Sequence, residues 1–325
     1  MGGYMKYLQA PFPYFGGKMA VADVVWQHLG DVKHYIEPFF GSGAVLLARP
    51  NYDYSRHIET VCDADGHIAN VWRAIKHAPD EVAEWCDYPV NHIDLYARRQ
   101  VLINNTESLT DKLLNDETYY DAKLAGYWIW ATSQWIGTGM LERGKYPKKV
   151  GEQLPHITRN GMGIHRLGMR SRDVSVGILP KNEKIYNYMR QLADRLRHVR
   201  VVTGDWTRVC GGNWQDRVGT VGIFFDPPYS DLAGRDSNIY RTDSLNVAHT
   251  VREWCLKRGD KNTYRIVLAG YYDEHEELLN HGWKMYRWKT SGGYGNRKKT
   301  GENKNRYKET LFISPHCVYE KKLLF

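Results

Sequence analysis

Long apolar runs are missing from this 325-residue chain, and so is the charged, apolar, small-residue pattern of a secretory leader. Both absences argue against a membrane-spanning or exported protein. The opening Met1-Gly-Gly-Tyr-Met5 reads as a short leader. Cysteine is sparse and scattered: Cys62, Cys86, Cys210, Cys255 and Cys317 form no CxxC pair and have no histidine at zinc spacing. Neither a disulfide framework nor a metal site is expected, and the thiols should be reduced in a cytoplasmic protein. No internal repeat is visible. Acidic residues are the scarcer charge, 37 against 45 lysines and arginines, for a net +8. That excess favours a polyanionic partner, of which nucleic acid is the commonest, without deciding it.

What is present is organised around nine residues. Val221-Gly-Ile-Phe-Phe225 is apolar, rich in β-branched and aromatic side chains, and reads as a short buried strand. Asp226-Pro227-Pro228-Tyr229 follows. Two prolines cannot donate to a sheet ladder, so the strand must stop there. A carboxylate, a free carbonyl and an aromatic ring then share the carboxyl end of a strand, the edge where open α/β sheets bind ligands. Asp226 and the Pro227 carbonyl are acceptors, and Tyr229 offers a flat face. The exocyclic amino group of a nucleobase fits them: its two N–H bonds meet the two acceptors while the ring stacks on Tyr229. Drawing on both hydrogens frees the nitrogen lone pair to attack an electrophile. A tight turn with a half-buried tyrosine is the plainer reading of the same four residues.

Two glycine-bearing segments precede it. Pro11-Phe-Pro-Tyr14-Phe-Gly-Gly-Lys18 is a turn that brings backbone close to something, with a helix-like run over 19–29 beyond. Tyr35-Ile-Glu37-Pro-Phe39-Phe-Gly41-Ser-Gly43 is a short strand, a glycine turn and a helix start. Gly41 and Gly43 permit close approach of a ligand, but the third glycine of a dinucleotide fingerprint is absent and Glu37 at the rim would repel a pyrophosphate. A cationic guest without phosphate, such as S-adenosylmethionine, suits the pair better. A second strand over 57–62 ends at Asp63, where an acid can take ribose hydroxyls. Residues 68–77 read as a helix in which Trp72 belongs to the core.

From about residue 86 to 180 the character changes. Two polar helical stretches lead to a run over 122–135 that holds Tyr127, Trp128, Trp130 and Trp135. A Gly-rich basic tract follows, with Lys145, Lys148, Lys149, Arg166 and Arg170 among its cations. Basic residues among aromatics and histidines suit phosphate contact and base-edge reading, and equally a solvated loop over an aromatic core. His156 and His165 have no matching ligand set for metal. An amphipathic helix over 183–199 feeds a strand over 199–203, which ends in Gly204-Asp205-Trp206: again an acid and a ring at a strand end, suited to an adenine. Helix is expected over 244–258 and 273–280, strand over 264–271, and two antiparallel strands over 283–288 and 307–314. The loop between the last two carries Arg297, Lys298 and Lys299, placed to clamp DNA or simply to face solvent.

In order, Tyr14-Phe-Gly-Gly-Lys18, Glu37-Pro-Phe-Phe-Gly-Ser-Gly43 and Asp226-Pro-Pro-Tyr229 resemble the Dam-type DNA adenine N6-methyltransferases, phage and prophage members in particular. The resemblance covers roughly residues 11–78 and 183–315, including Asn305-Arg-Tyr-Lys-Glu-Thr-Leu-Phe-Ile313. It implies an α/β, Rossmann-like seven-stranded methyltransferase sheet with a mainly helical inserted recognition region. Residues 1–85 and 181–325 would form the catalytic domain, and 86–180 the target-recognition insert. It implies S-adenosylmethionine as methyl donor, held by Tyr14, Lys18, Glu37, Phe39, Gly41, Gly43, Asp63, Asp205, Trp206 and Asp226. A flipped adenine in double-stranded DNA would be the acceptor, held by Asp226, Pro227, Pro228 and Tyr229. The protein is expected to be a monomer or weak dimer. The middle segment Ser133-Gln-Trp-Ile-Gly-Thr-Gly139 departs from relatives that read GATC. Cytosine N4-methylation, or a catalytically idle DNA-binding protein on the same scaffold, are the rival readings.

Overall fold

Val221–Phe225 is buried along its whole length and pairs in parallel with a strand on each side. A central strand covered on both faces needs no polar alternation, which explains its unbroken apolar sequence. In this computed structural model, the described residues are 8–13, 18–135, 140–141, 183–212, 217, 219–228, 246–288 and 309–319. They include seven strands: β1 His34–Glu37, β2 Ile58–Asp63, β3 Val199–Thr203, β4 Val221–Phe225, β5 Tyr264–Tyr271, β6 Lys284–Arg287 and β7 Glu309–Ile313. The sheet order is β3-β2-β1-β4-β5-β7-β6. Strands β1 to β5 run parallel, whereas β7 is antiparallel to both of its neighbours. The chain builds outward from β1 to β3, then returns to the other side of β1 with β4. The switch point therefore lies between β1 and β4, whose carboxyl ends are Glu37 and Phe225.

Period-two alternation sends neighbouring side chains to two separate cores. Tyr35, Val61, Phe224, Val267 and Leu311 enter one core, built with helices Ala22–Leu29, Gly66–His77 and Glu183–Leu196. Ile36, Cys62, Phe225, Leu268 and Phe312 enter the other, with helix Val247–Arg258. The expected helix over 273–280 divides into an α-helical turn, Tyr272–His275, and a 3-10 stretch, Glu276–His281. All five cysteines are buried and unpaired. No helix among the described residues is long and apolar enough to cross a membrane.

A helical layer lies on the first core. Asp65 caps Gly66–His77 by accepting from His67 N at 2.8 Å, and Asp121 caps Ala122–Gln134 by accepting from Leu124 N at 2.8 Å. Asn70 joins the two helices: its amide donates to the Asp121 carbonyl at 2.9 Å and accepts from Asp121 N at 2.8 Å. Helices Pro79–Cys86 and the 24-residue His92–Asn115 complete the layer. Tyr14 and Tyr229 lie outside the described residues, as do Lys145, Lys148, Lys149, Arg166, Arg170, Arg297, Lys298 and Lys299.

One buried residue sets a pH dependence. His275 is fully buried against Gly270 and Phe312, and neither ring nitrogen has a hydrogen-bond partner among the described residues. Burial above all, then Arg252 and His249, pushes it down from 6.5 to about 3. Below pH 6.5 the unfolded chain takes up a proton that the folded chain refuses, so this residue costs stability as pH falls. His275→Leu is therefore expected to gain on wild type by about 1.4 kcal/mol for each pH unit between 6.5 and 5. Urea denaturation of both proteins at pH 7 and pH 5 measures it, and an unchanged difference would remove the argument.

Candidate active site

The rim above the carboxyl ends of β1, β2 and β3 is tied together by backbone. Phe40 N donates to the Cys62 carbonyl at 2.9 Å, and Gly204 N to the Asp63 carbonyl at 3.0 Å. Gly41 and Gly43 both have positive φ, 48° and 68°. At Gly43 a Cβ would stand 2.9 Å from the Phe40 ring and 3.1 Å from Trp72, so glycine is required by backbone and by space. The Gly41 N–H donates to Asp63 Oδ2 at 2.8 Å, and the Gly41 carbonyl accepts from Trp72 Nε1 at 2.9 Å. Trp72 is core, as its sequence position suggests, and it also fixes the glycine turn.

Acids gather round this turn. Asp63 also accepts from Asp65 N at 2.9 Å, yet burial pushes its carboxyl up to about 7. Glu37, expected at the rim, is only 3% exposed. Its Oε2 accepts from the Tyr35 hydroxyl at 2.9 Å and from Leu46 N at 3.1 Å. Burial raises it well above the carboxylate range, those two bonds oppose the rise, and the charge of Asp226 adds to it. Glu37 thus also clips the short helix Ala44–Leu47 onto β1.

Asp226 stands where the chain leaves β4, with Pro227 buried and Pro228 half-buried behind it. Its Oδ1 is 2.9 Å from Lys18 Nζ, and the Lys18 side chain is 3% exposed. Burial raises the Asp226 carboxyl and the Lys18 ammonium holds it down. Sequence reading selected both residues without seeing that they pair. With Glu37 pushed by burial toward its neutral form, the carboxyls of Asp63 and Asp226 stand against the Lys18 ammonium, so acid outnumbers base among the described residues of this rim. It can accept a cation and would repel a phosphate.

Beside the acids lies an aromatic wall. Phe39 is 6.4 Å, centroid to centroid, from both Trp206 and Phe225. Trp206, 7% exposed, meets Phe225 edge-on at 5.9 Å and Trp254 at 6.5 Å. Trp254 was not singled out from sequence, because it reads as one apolar position of an ordinary helix. Asp205 is exposed and accepts from Thr207 N at 3.0 Å and from the Thr207 hydroxyl, which ties it to the turn after β3. The structure therefore brings Lys18, Glu37, Phe39, Gly41, Gly43, Asp63, Trp206 and Asp226 to one sheet edge, with Asp205 on its outer margin. No group of acids, histidines and cysteines able to hold a metal occurs among the described residues.

Sheet order, a single reversed strand at β7 and an acidic glycine turn at the switch point define a Rossmann-like methyltransferase fold. The chain is similar over residues 14–146 to the sequence model of the D12 class N6 adenine-specific DNA methyltransferases. It is similar along nearly its whole length to the DNA adenine methylase of Escherichia coli K12: 21% identity over 96% of this chain and 99% of that one. Similarity to the DNA adenine methylase of Vibrio cholerae serotype O1 is 27% over a shorter segment, 28% of this chain and 33% of the relative.

Proposed function

We propose that the chain transfers a methyl group from S-adenosylmethionine to the N6 amino group of an adenine swung out of double-stranded DNA. The observation that carries this is Asp226: a carboxylate immediately after the carboxyl end of β4, fixed by a buried lysine, followed by two prolines and set beside the glycine turn. The residues fit the donor. Its sulfonium and ammonium suit the carboxylates of Asp63 and Asp226, and its adenine suits the wall of Phe39, Trp206 and Phe225. When bound, S-adenosylmethionine supplies an electrophilic methyl. The chain does the rest. Asp226 and the Pro227 carbonyl accept the two amino hydrogens of the target base, orient its nitrogen and stabilise the charge that develops there. Swinging the base out costs about a few kcal/mol, and stacking on Tyr229 returns roughly 1–3 kcal/mol.

A cysteine nucleophile is not required for attack by nitrogen. The cysteine beside the site cannot serve as one either, since burial pushes the Cys62 thiol up to about 12. An aspartate at position 226, together with relatives named for adenine, favours adenine over cytosine N4. We assign residues 1–85 and 181–325 to catalysis in the cytoplasm and 86–180 to target recognition. Lys145, Lys148, Lys149, Arg166, Arg170 and Arg297 to Lys299 would meet the phosphates.

Transfer of tritiated methyl to unmethylated DNA, followed by nucleoside analysis, tests the reading. Label in N6-methyladenosine is expected; label only in N4-methylcytosine would overturn the acceptor, and donor binding without any label would overturn the activity. The glycine turn gives a second test. Gly43→Ala must take a left-handed conformation, worth about 1 kcal/mol, and displace the Phe40 ring. Donor affinity measured by calorimetry should fall about tenfold or more; wild-type affinity would place the donor elsewhere.

A further inference from the structure

Away from the sheet edge, in the helical layer, a cavity of about 210 Å³ is lined by Tyr88, Asp94, Ala97, Arg98, Val101 and Tyr127. Arg98 is 6% exposed, deep for a guanidinium. It lies over three rings, 4.1 Å from Tyr88, 4.5 Å from Tyr127 and 4.4 Å from Trp130. Its one hydrogen bond to a described residue is from Nη1 to the Trp85 carbonyl at 3.0 Å. The walls are locked: Trp85 stacks on Tyr88 at 6.2 Å and meets Tyr127 edge-on, while Trp130 Nε1 donates to the Tyr88 carbonyl at 2.9 Å. Asp94 stands one helical turn before Arg98, the spacing at which an acid and an arginine normally pair. Among the described residues no salt bridge joins them, although the charge of Asp94 acts on Arg98 and both line this cavity.

Asp94, half-exposed, and Arg98, buried, line the same cavity and offer an acceptor pair and guanidinium donors, which match a planar guest with acceptors on one edge and donors on the next. We infer that this cavity binds a guanine base. Its N7 and O6 accept from Arg98 guanidinium donors not used by the Trp85 carbonyl, and its N1–H and N2–H2 donate to Asp94. Guanine satisfies both oxygens of the carboxylate and two guanidinium donors. Adenine sets an amino donor where O6 would be, and cytosine offers a single outward donor. The volume suits one bicyclic base and falls short of a drug-sized ligand. The base can belong to a free guanine nucleotide or to an unstacked position in DNA.

Calorimetry on the full chain with GMP, AMP and CMP, and with single-stranded oligonucleotides containing or lacking dG, decides it. Saturable binding of GMP over AMP and CMP is expected for a free nucleotide, and binding of the dG oligonucleotide alone for a base within DNA. Asp94→Asn, at a half-exposed carboxylate, should weaken the guanine ligand about tenfold, and Ala97→Phe, at an exposed lining position, should block it. Both variants should keep wild-type S-adenosylmethionine affinity. No guanine-dependent binding of either kind, equal binding of all bases, or an Asp94→Asn protein with unchanged affinity would overturn the inference. Because donor affinity and methyl transfer are measured separately, failure here leaves the assignment of Asp226 standing.

Discussion

Asp226→Asn is expected to lower methyl transfer by at least about a thousandfold while the protein remains folded and still binds S-adenosylmethionine. Removing one correctly placed group from a charge-stabilising site commonly costs 10²–10³-fold, and Asp226 acts on both the nitrogen and its orientation. An asparagine keeps one acceptor but can turn an N–H2 toward the amino group it should hold. The same change removes the negative charge 2.9 Å from the buried Lys18 ammonium. Some stability should be lost as well, up to about 3 kcal/mol. Two readouts therefore move together, and a second variant separates them. Asp226→Glu keeps the negative charge for Lys18 but advances the carboxylate by a methylene, too far for near-attack geometry. Its thermal midpoint should stay near wild type while turnover still falls about a hundredfold. Turnover near wild type in Asp226→Asn would end the case for Asp226 as the group that holds the acceptor. Wild-type turnover in Asp226→Glu would show that charge matters and position does not.

Local pattern carried much of this fold. The unbroken apolar strand β4, the alternation of strand and amphipathic helix, and the antiparallel pair at the end of the chain all follow from short-range rules. Short-range rules also locate the turn residues Gly41 and Gly43, since a positive φ leaves few alternatives. What pattern cannot give is which side chains converge once the strand order is set. Lys18 and Asp226 are separated by most of the sequence and meet only because β4 returns to lie beside β1. Glu37 was expected to face a ligand at the rim. Folding turns it onto the Tyr35 hydroxyl, its same-face neighbour in β1, and onto the start of the next helix, which the sharp turn at Gly41 to Gly43 brings back to it. Arg98 was invisible for a related reason. A charged position in a polar helical stretch reads as solvated, and the rings that bury it come from two other segments.

Glu59→Ala is expected to destabilise the protein by about 3–5 kcal/mol, the largest stability effect of any substitution considered, while leaving the reacting groups in place. Glu59 is the second residue of β2, with its side chain fully buried. Two arginines reach it from different parts of the chain. Arg49 Nη1 is 3.1 Å from Oε1, and Arg195 contacts both oxygens, at 2.6 and 2.9 Å. Arg49 also donates to the Val32 carbonyl, and Arg195 to the Leu46 carbonyl at 3.1 Å. The network therefore joins β2, the helix Glu183–Leu196 and the short helix that follows the glycine turn. Truncation to alanine leaves two guanidinium groups, 1% and 12% exposed, with no counter-charge. That is far worse than never having buried the three charges, because the penalty of desolvation remains and the attraction is gone. A triple replacement, Glu59→Leu with Arg49→Met and Arg195→Met, should recover most of the loss, since apolar groups of similar volume need no partner. Urea denaturation of wild type, single and triple variants measures all three terms. The turnover of Glu59→Ala at low temperature should stay within about tenfold of wild type, because Asp226 and Lys18 belong to β4 and the amino-terminal turn rather than to this network. A single variant as stable as wild type would mean that the two arginines find other partners, and that the short helix is held by Glu37 alone.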